Sequence, residues 1–124
     1  MNSLSRRQIM IGVLIVIGVC VFSVWVDSRL DTNHRRMQVN EKIGKLRDRV
    51  KKNPNDKEAL KRMIASLGSS YHWERTCAAN RLGQLGPKAK EAVPALANAL
   101  KIDDWYLRRE AALALREIGP GAME

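Results

Sequence analysis

The side chains that could do chemistry are few and stand far apart in the chain. Cys20 lies in an apolar run and Cys77 in a helical pattern, so neither a redox motif nor a thiolate metal site is predicted. His34 sits in a basic stretch and His72 lies beside Tyr71 and Trp73. Neither histidine has a Cys or carboxylate at ligand spacing, so no zinc-type site follows. No Ser-His-Asp arrangement, phosphate loop or carboxylate pair can be defended. The sequence therefore predicts no catalytic residue, no cofactor and no enzyme activity. Cys77, next to Ala78 and Ala79, reads as a small core residue. Trp73, Trp105 and Tyr106 read first as packing residues, with partner anchoring as the alternative, because Trp and Tyr dominate binding hot spots.

With chemistry set aside, the elements carry the information. The chain has 124 residues and a formal net charge of +9, room for one small domain and an appendage. Ile9 to Val26 is an 18-residue block in which only Gly12, Gly18 and Ser23 are not apolar. As a helix it would extend roughly 27 Å against a hydrocarbon core of about 30 Å. Arg6 and Arg7 precede it, and Trp25 marks its far end, where an amphipathic ring suits the interface. Residues 1–8 are read as a tail and 9–26 as a transmembrane helix. No small-residue cleavage pattern follows, so it is read as an uncleaved signal anchor. Ile17-Gly18-Val19-Cys20 resembles a lipobox only loosely, and Ser5-Arg6-Arg7 gives a lesser twin-arginine reading. The location expected is a bacterial inner membrane, crossed once. Basic residues after the block (Arg29, Arg35, Arg36, Lys42, Lys45) favour a cytoplasmic domain, whereas the signal-like amino terminus favours the opposite side. These arguments nearly cancel, with a slight lean to the extracytoplasmic side.

Residues 27–53 read as a basic neck. Asp27 to Arg62 holds 12 basic and 6 acidic residues, against 8 and 7 in Met63 to Glu124. Val39, Ile43, Leu46 and Val50 form one helical stripe. That stripe either packs on the next domain or dimerises as a stalk, and the first reading is preferred. Basic residues near a bilayer would attract anionic head groups. Nucleic-acid binding by the neck is disfavoured, because no aromatic residue is interleaved with the charge. Stripe and repeat are separate signals, so a proline at Leu46 is expected to spare the repeat.

Beyond Asn53-Pro54 the sequence repeats itself at an offset of 33 residues. Pro54 pairs with Pro87 and Pro120, Lys57-Glu58-Ala59-Leu60 with Lys90-Glu91-Ala92-Val93, and Arg75 with Arg108. Ala78-Ala79 pairs with Ala111-Ala112, Leu82 with Leu115, and Gly86 with Gly119. Such a period marks stacked helix pairs. First helices are predicted over about Trp73–Leu85 and Trp105–Ile118, and a second helix over Glu91–Lys101 with Val93, Leu96 and Leu100 inward. Gly86-Pro87 would stop one helix, and Asp103-Asp104 would cap the next.

Arg75, Ala78, Ala79, Leu82, Gly83, Leu85 and Gly86, then Ala89, Ala92, Val93, Pro94, Leu96, Ala99 and Leu100, closely resemble the bacterial HEAT repeats related to those of phycobilin lyases. Glu74 stands where that pattern has Val, and Arg116 where it has Gly. The resemblance covers about residues 54–122, two and a half units. It implies an all-α fold, a short α-solenoid of HEAT-like helix pairs behind one transmembrane helix. It also implies structural repeat roles for Arg75, Ala79, Leu82, Gly86, Pro87, Asp104, Arg108, Ala112 and Leu115, with Asp and Arg forming a ladder between units. The function it implies is a non-catalytic protein-binding or scaffolding module. The alternatives are an accessory or lyase-like factor for a chromophore or cofactor enzyme, and nucleic-acid binding. Second helices conventionally form the concave wall, so Lys57, Lys61, Arg62, Lys90, Asn98 and Lys101 are candidate partner-binding residues. The last first helix lacks a second helix after it, which would leave Ala111, Ala112, Leu115 and Ile118 open. Leu115 and Ile118 are therefore further candidates, for a partner or for self-association.

Overall fold

In the computed structural model, which describes residues 5–120, Ser5 opens the first helix. Its backbone N–H donates to Gln8 Oε1 (3.1 Å) and the Gln8 N–H donates to Ser5 Oγ (3.4 Å), the reciprocal pairing of a capping box. Helix α1 then runs Arg6–Lys52 without a break at the apolar boundary. Ser28 and Thr32, which could have ended it, instead donate their hydroxyls to the carbonyls of Val24 (2.8 Å) and Ser28 (2.7 Å). The other helices are α2 (Lys57–Ser66), α3 (His72–Leu85), α4 (Val93–Ala99) and α5 (Trp105–Ile118), with a 3₁₀ segment at Gly86–Ala92. No strand occurs among the described residues. Residues 1–4 of the expected tail and 121–122 of the expected repeat lie outside the described residues.

Two compact units divide between Arg35 and Arg36. In the first, the large apolar side chains from Ile9 to Trp25 are all more than half exposed. A helix apolar all round that no protein buries is long and apolar enough to span a membrane. Arg29 lies 4.1 Å over the Trp25 ring, at the polar end of that block.

The second unit begins at Arg36 and not at Pro54. Ile43, Leu46 and Val50 are 0%, 7% and 0% exposed and belong to the same core as Leu60, Met63, Leu82, Leu96 and Leu107. The neck stripe is thus packed against the helices that follow it, and Val39 joins it at the margin. Burying each such side chain is worth about 1.5–3 kcal/mol. Helix ends keep the sequence period: Lys52, Leu85 and Ile118 end α1, α3 and α5 at intervals of 33 residues, as Ser66 and Ala99 do for α2 and α4.

Three parts of the helical pattern differ from expectation. The second helix of the middle pair is a 3₁₀ segment followed by a short α4. Pro94 has no N–H to give the Lys90 carbonyl, which accepts instead from the Val93 N–H three residues on. Leu100 is exposed, while Ala99 takes the inward position. On α5 the buried positions are Leu107, Ala111, Ala114 and Ile118, whereas Ala112 faces solvent and Leu115 is half-buried.

Gly83 sets the distance between α3 and α5. A Cβ added there would meet Ala114 Cα at 3.0 Å and Ala114 Cβ at 3.2 Å. Gly44, also inside a helix, has nothing within 4 Å of such a Cβ. The same substitution is therefore expected to act with opposite sign at these sites. Gly83→Ala should destabilise by about 1–3 kcal/mol through overpacking against backbone, and Gly44→Ala should stabilise by about 0.5–1 kcal/mol. Chemical denaturation of the detergent-solubilised protein measures both, and equal signs would refute the packing. Leu46→Pro should unfold the second unit as a whole, because it breaks α1 inside the shared core. Loss of helical circular dichroism confined to α1 would argue otherwise.

Candidate binding surfaces

The loop before α3 and the end of α2 converge on one carboxylate. Glu74 Oε1 accepts from Ser66 Oγ (3.1 Å) and Oε2 from Ser69 Oγ (2.8 Å), and Lys42 of α1 approaches Oε1 to 3.6 Å. Burial alone would push the Glu74 carboxyl up, but the Ser69 and Ser66 hydroxyls and Lys42 together hold it below its ordinary value. The acid that departs from the HEAT-like pattern thus ties α1, α2 and α3 together.

Arg75 continues that tie toward α5. Its Nη1 donates to the carbonyls of Ser69 (2.9 Å) and Ser70 (3.2 Å), and its Nη2 reaches Asp104 Oδ2 at 3.4 Å. Asp104 N-caps α5 with Oδ1, which accepts from the N–H groups of Tyr106 and Leu107, both at 3.1 Å. Arg108 is more peripheral and pairs with exposed Asp103 at 3.6 Å. Both inter-helix partners of the Asp–Arg pair are mostly buried, at 17% and 18% side-chain exposure.

The outer edges of α1, α3 and α5 carry a polar chain that the sequence reading missed. Arg47 donates to Gln84 (2.7 Å), Gln84 to Asn80 (3.0 Å), and Asn80 to Glu110 (3.0 Å). Arg81 adds bonds to Asn40 (2.7 Å) and Gln84 (3.2 Å). Only the placement of Asn80, Arg81 and Gln84 away from the Ala78-Ala79-Leu82 face hinted at it. Next to this chain is a cleft of about 230 Å³ lined by Trp73, Cys77, Arg81 and Tyr106, among others. Cys77 is 9% exposed, and burial pushes its thiol up. A protonated, enclosed thiol is a poor nucleophile. No group of three metal-ligating side chains occurs among the described residues.

The second helices present a different surface. Lys57, Lys61, Arg62, Lys90, Asn98 and Lys101 are all exposed. Arg62 is paired with Glu58 at 2.9 Å. Among the described residues Lys57, Lys61, Lys90 and Lys101 have no carboxylate partner. Between α2 and α4 runs a groove of about 340 Å³ lined by Ile64, Ala65, Leu67, Ala95, Asn98 and Ile102, among others. Asn98 thus lies in an apolar groove, and Lys61 stands one turn from Ile64 and Ala65. The two candidates on α5 do not join this surface. Ile118 is 3% exposed and belongs to the core, and Leu115 is half-buried against it. The pattern that made them an open face assumed the α3 register, which α5 does not follow.

Comparisons with protein-family models, with characterised proteins and with solved structures found no match.

The Asp104 carboxyl is held below its ordinary value by the Leu107 N–H first, against the opposing push of partial burial, with Arg75 adding to the lowering. A lowered folded-state value gives stability that is present above the unfolded value, about 3.9, and is lost as pH falls through the folded one. Asp104→Ala should cost about 0.5–2 kcal/mol at neutral pH. The gap between variant and parent should narrow below about pH 4. A gap independent of pH would show that the carboxylate charge contributes nothing.

Proposed function

We propose that this chain is a membrane-anchored helical-repeat module of the HEAT kind that holds a protein partner without catalysing a reaction. The anchor is Ile9–Val26, and the repeat domain lies on the extracytoplasmic side. The helix pairs are α1 with α2 and α3 with α4, and α5 opens the next unit. The single observation that carries the reading is the α2–α4 groove, apolar along most of its floor, with Lys61 one turn before its lining residues Ile64 and Ala65 and Lys101 next to its lining residue Ile102, neither lysine having a carboxylate partner among the described residues.

Those features select the partner's chemistry. Apolar side chains supply contact area in the groove, and acidic residues beside them would meet Lys61 and Lys101. Rim charges of this kind act on association rate and on choice of partner more than on the final affinity. An acidic protein segment with a few apolar anchors fits both parts of the surface. Accessory action on a cofactor enzyme would also use such a groove, but nothing about it is specific for a chromophore.

A photo-crosslinking amino acid placed at Asn98 in the full-length, membrane-embedded protein tests this reading. Asn98 should capture a discrete protein adduct, and the same probe at Gln84, on the α1–α3–α5 edge, should not. Lys61→Glu with Lys101→Glu should slow capture and abolish its dependence on salt, while thermal stability stays within about 0.5 kcal/mol, as for ordinary surface changes. Identical adducts from both positions, or capture indifferent to the charge reversal, would refute the assignment.

A further inference from the structure

The exposed apolar surface of the second unit is concentrated in one place. Among the described residues its exposed large hydrophobic side chains are Met37, Leu100, Ile102, Trp105 and Tyr106. Four of the five fall within Leu100–Tyr106, the connection from α4 into α5. Trp105 is 64% exposed and Tyr106 44%, and their rings meet edge to face at 4.6 Å. Rings of that size left in water are costly unless something covers them.

Every aromatic residue after Trp25 stands at the amino-terminal end of α3 or of α5: Tyr71 and Trp73 at one, Trp105 and Tyr106 at the other. These ends are neighbours, since Trp73 and Tyr106 line the same cleft. Arginines accompany the rings. Arg36 lies 5.0 Å over Trp73, and Arg109 lies 5.9 Å from the Tyr106 ring centre. Of the acids at this edge, Asp104 caps α5 and meets Arg75, Glu74 is held by Ser66, Ser69 and Lys42, Glu110 accepts from Asn80, and Asp103, fully exposed, lies 3.6 Å from Arg108. Arg36 and Arg109 have no carboxylate partner among the described residues. Exposed Trp and Tyr beside uncompensated arginine are the chemistry of a bilayer's interfacial layer, where rings lie at head-group depth and cations meet lipid phosphates.

Chain length adds an independent constraint. Ten residues, Val26 to Arg35, separate the Trp25 end of the apolar block from Arg36. Even fully extended they span no more than about 36 Å. The edge that carries Arg36 and Trp73 is therefore held close to any bilayer that Ile9–Val26 crosses. A contact too weak to bind a membrane from solution is sufficient when the tether supplies a millimolar effective concentration.

We propose that this edge is a second membrane contact. Trp105 and Tyr106 enter the interface of an anionic bilayer, and Arg36 and Arg109 pair with its phosphates. The inference rests on reading Ile9–Val26 as a span, and the test separates the two. Two single-tryptophan proteins are placed in phosphatidylglycerol nanodiscs whose acyl chains are brominated near the head group. One keeps Trp105 (Trp25→Phe, Trp73→Phe) and the other keeps Trp25 (Trp73→Phe, Trp105→Phe), with circular dichroism showing each to be as helical as the parent. Both tryptophans should lose most of their emission. Arg36→Glu with Arg109→Glu should restore Trp105 emission but leave Trp25 quenched. Quenching of Trp25 with Trp105 unquenched, and as open to aqueous acrylamide as in detergent, would overturn the second contact and leave the span standing. An unquenched Trp25 would overturn both. Trp105 quenched equally in the charge-reversed protein would overturn the pairing with phosphate.

Discussion

The second unit depends on α3 being thin. Its inward positions are Thr76, Cys77, Ala78, Ala79, Leu82, Gly83 and Leu85, and all are buried. Seven buried positions on a 14-residue helix leave little of its circumference for water, so α3 must accept neighbours on several sides. Large side chains on all those sides would hold the neighbours apart. Small ones let α5 approach until Gly83 has no room for a Cβ against Ala114. The bulk of the core is supplied by the surrounding helices instead: Ile43, Leu46 and Val50 from α1, Leu60 and Met63 from α2, Leu96 from α4, and Leu107 and Ile118 from α5. Interiors at crystalline packing density tolerate this division only if volumes match across each contact. That is why one methyl at Gly83 would press on the Ala114 backbone and one at Gly44 would meet nothing.

This arrangement explains which parts of the fold were legible. The 33-residue offset was strong where α3 and α5 share residue types, and it located α5 to the residue at both ends. It was silent on α1, although Asn53-Pro54 sits one period before Gly86-Pro87. Matching identities could not reveal that relation. Where α3 has Thr76, Ala79 and Gly83, α1 has Ile43, Leu46 and Val50. Those larger side chains suit a helix covered on fewer sides. The shared feature is where the helix stops, and the charge density of the neck concealed it. The apolar stripe was enough to expect that the neck packs on the next domain, as it does, but not that its helix ends one period upstream as a unit of the same register.

The same asymmetry misdirected the reading of α5. Copying the α3 face by register gives Ala111, Ala112, Leu115 and Ile118. The structure buries Leu107, Ala111, Ala114 and Ile118, a stripe spaced four, three and four. A helix with neighbours on one side needs only one stripe, so Ala112 turns to solvent and Leu115 drops to the margin. A repeat register fixes where helices begin and end. It does not fix how much of each circumference is covered, because that depends on how many neighbours the helix has. Leu100 is the parallel case, since Pro94 diverts the preceding turns into a 3₁₀ path and hands the inward position to Ala99.

Polar groups divide along the same lines. The arginines and acids that touch α3 are fixed in place: Arg75 by Ser69, Ser70 and Asp104, Arg81 by Asn40 and Gln84, and Glu74 by two serines. Their environments move Asp104 and Glu74 down and Cys77 up, each away from the neutral range that proton transfer at physiological pH favours. Such shifts hold carboxylates ionised and a thiol protonated, which suits groups that join helices. Lys57 and Lys61 of α2, and Lys90 and Lys101 on either side of α4, are held by no such partner, and between α2 and α4 an apolar groove stays uncovered. Charge that the fold does not neutralise, next to apolar surface that it does not bury, is the condition under which a second molecule gains by contact. Apart from Trp73 Nε1 and Arg75 Nε, which are buried without a hydrogen-bond partner, these polar groups around α3 are paired within the fold, and the charge left unpaired stands on the surface where a partner would dock.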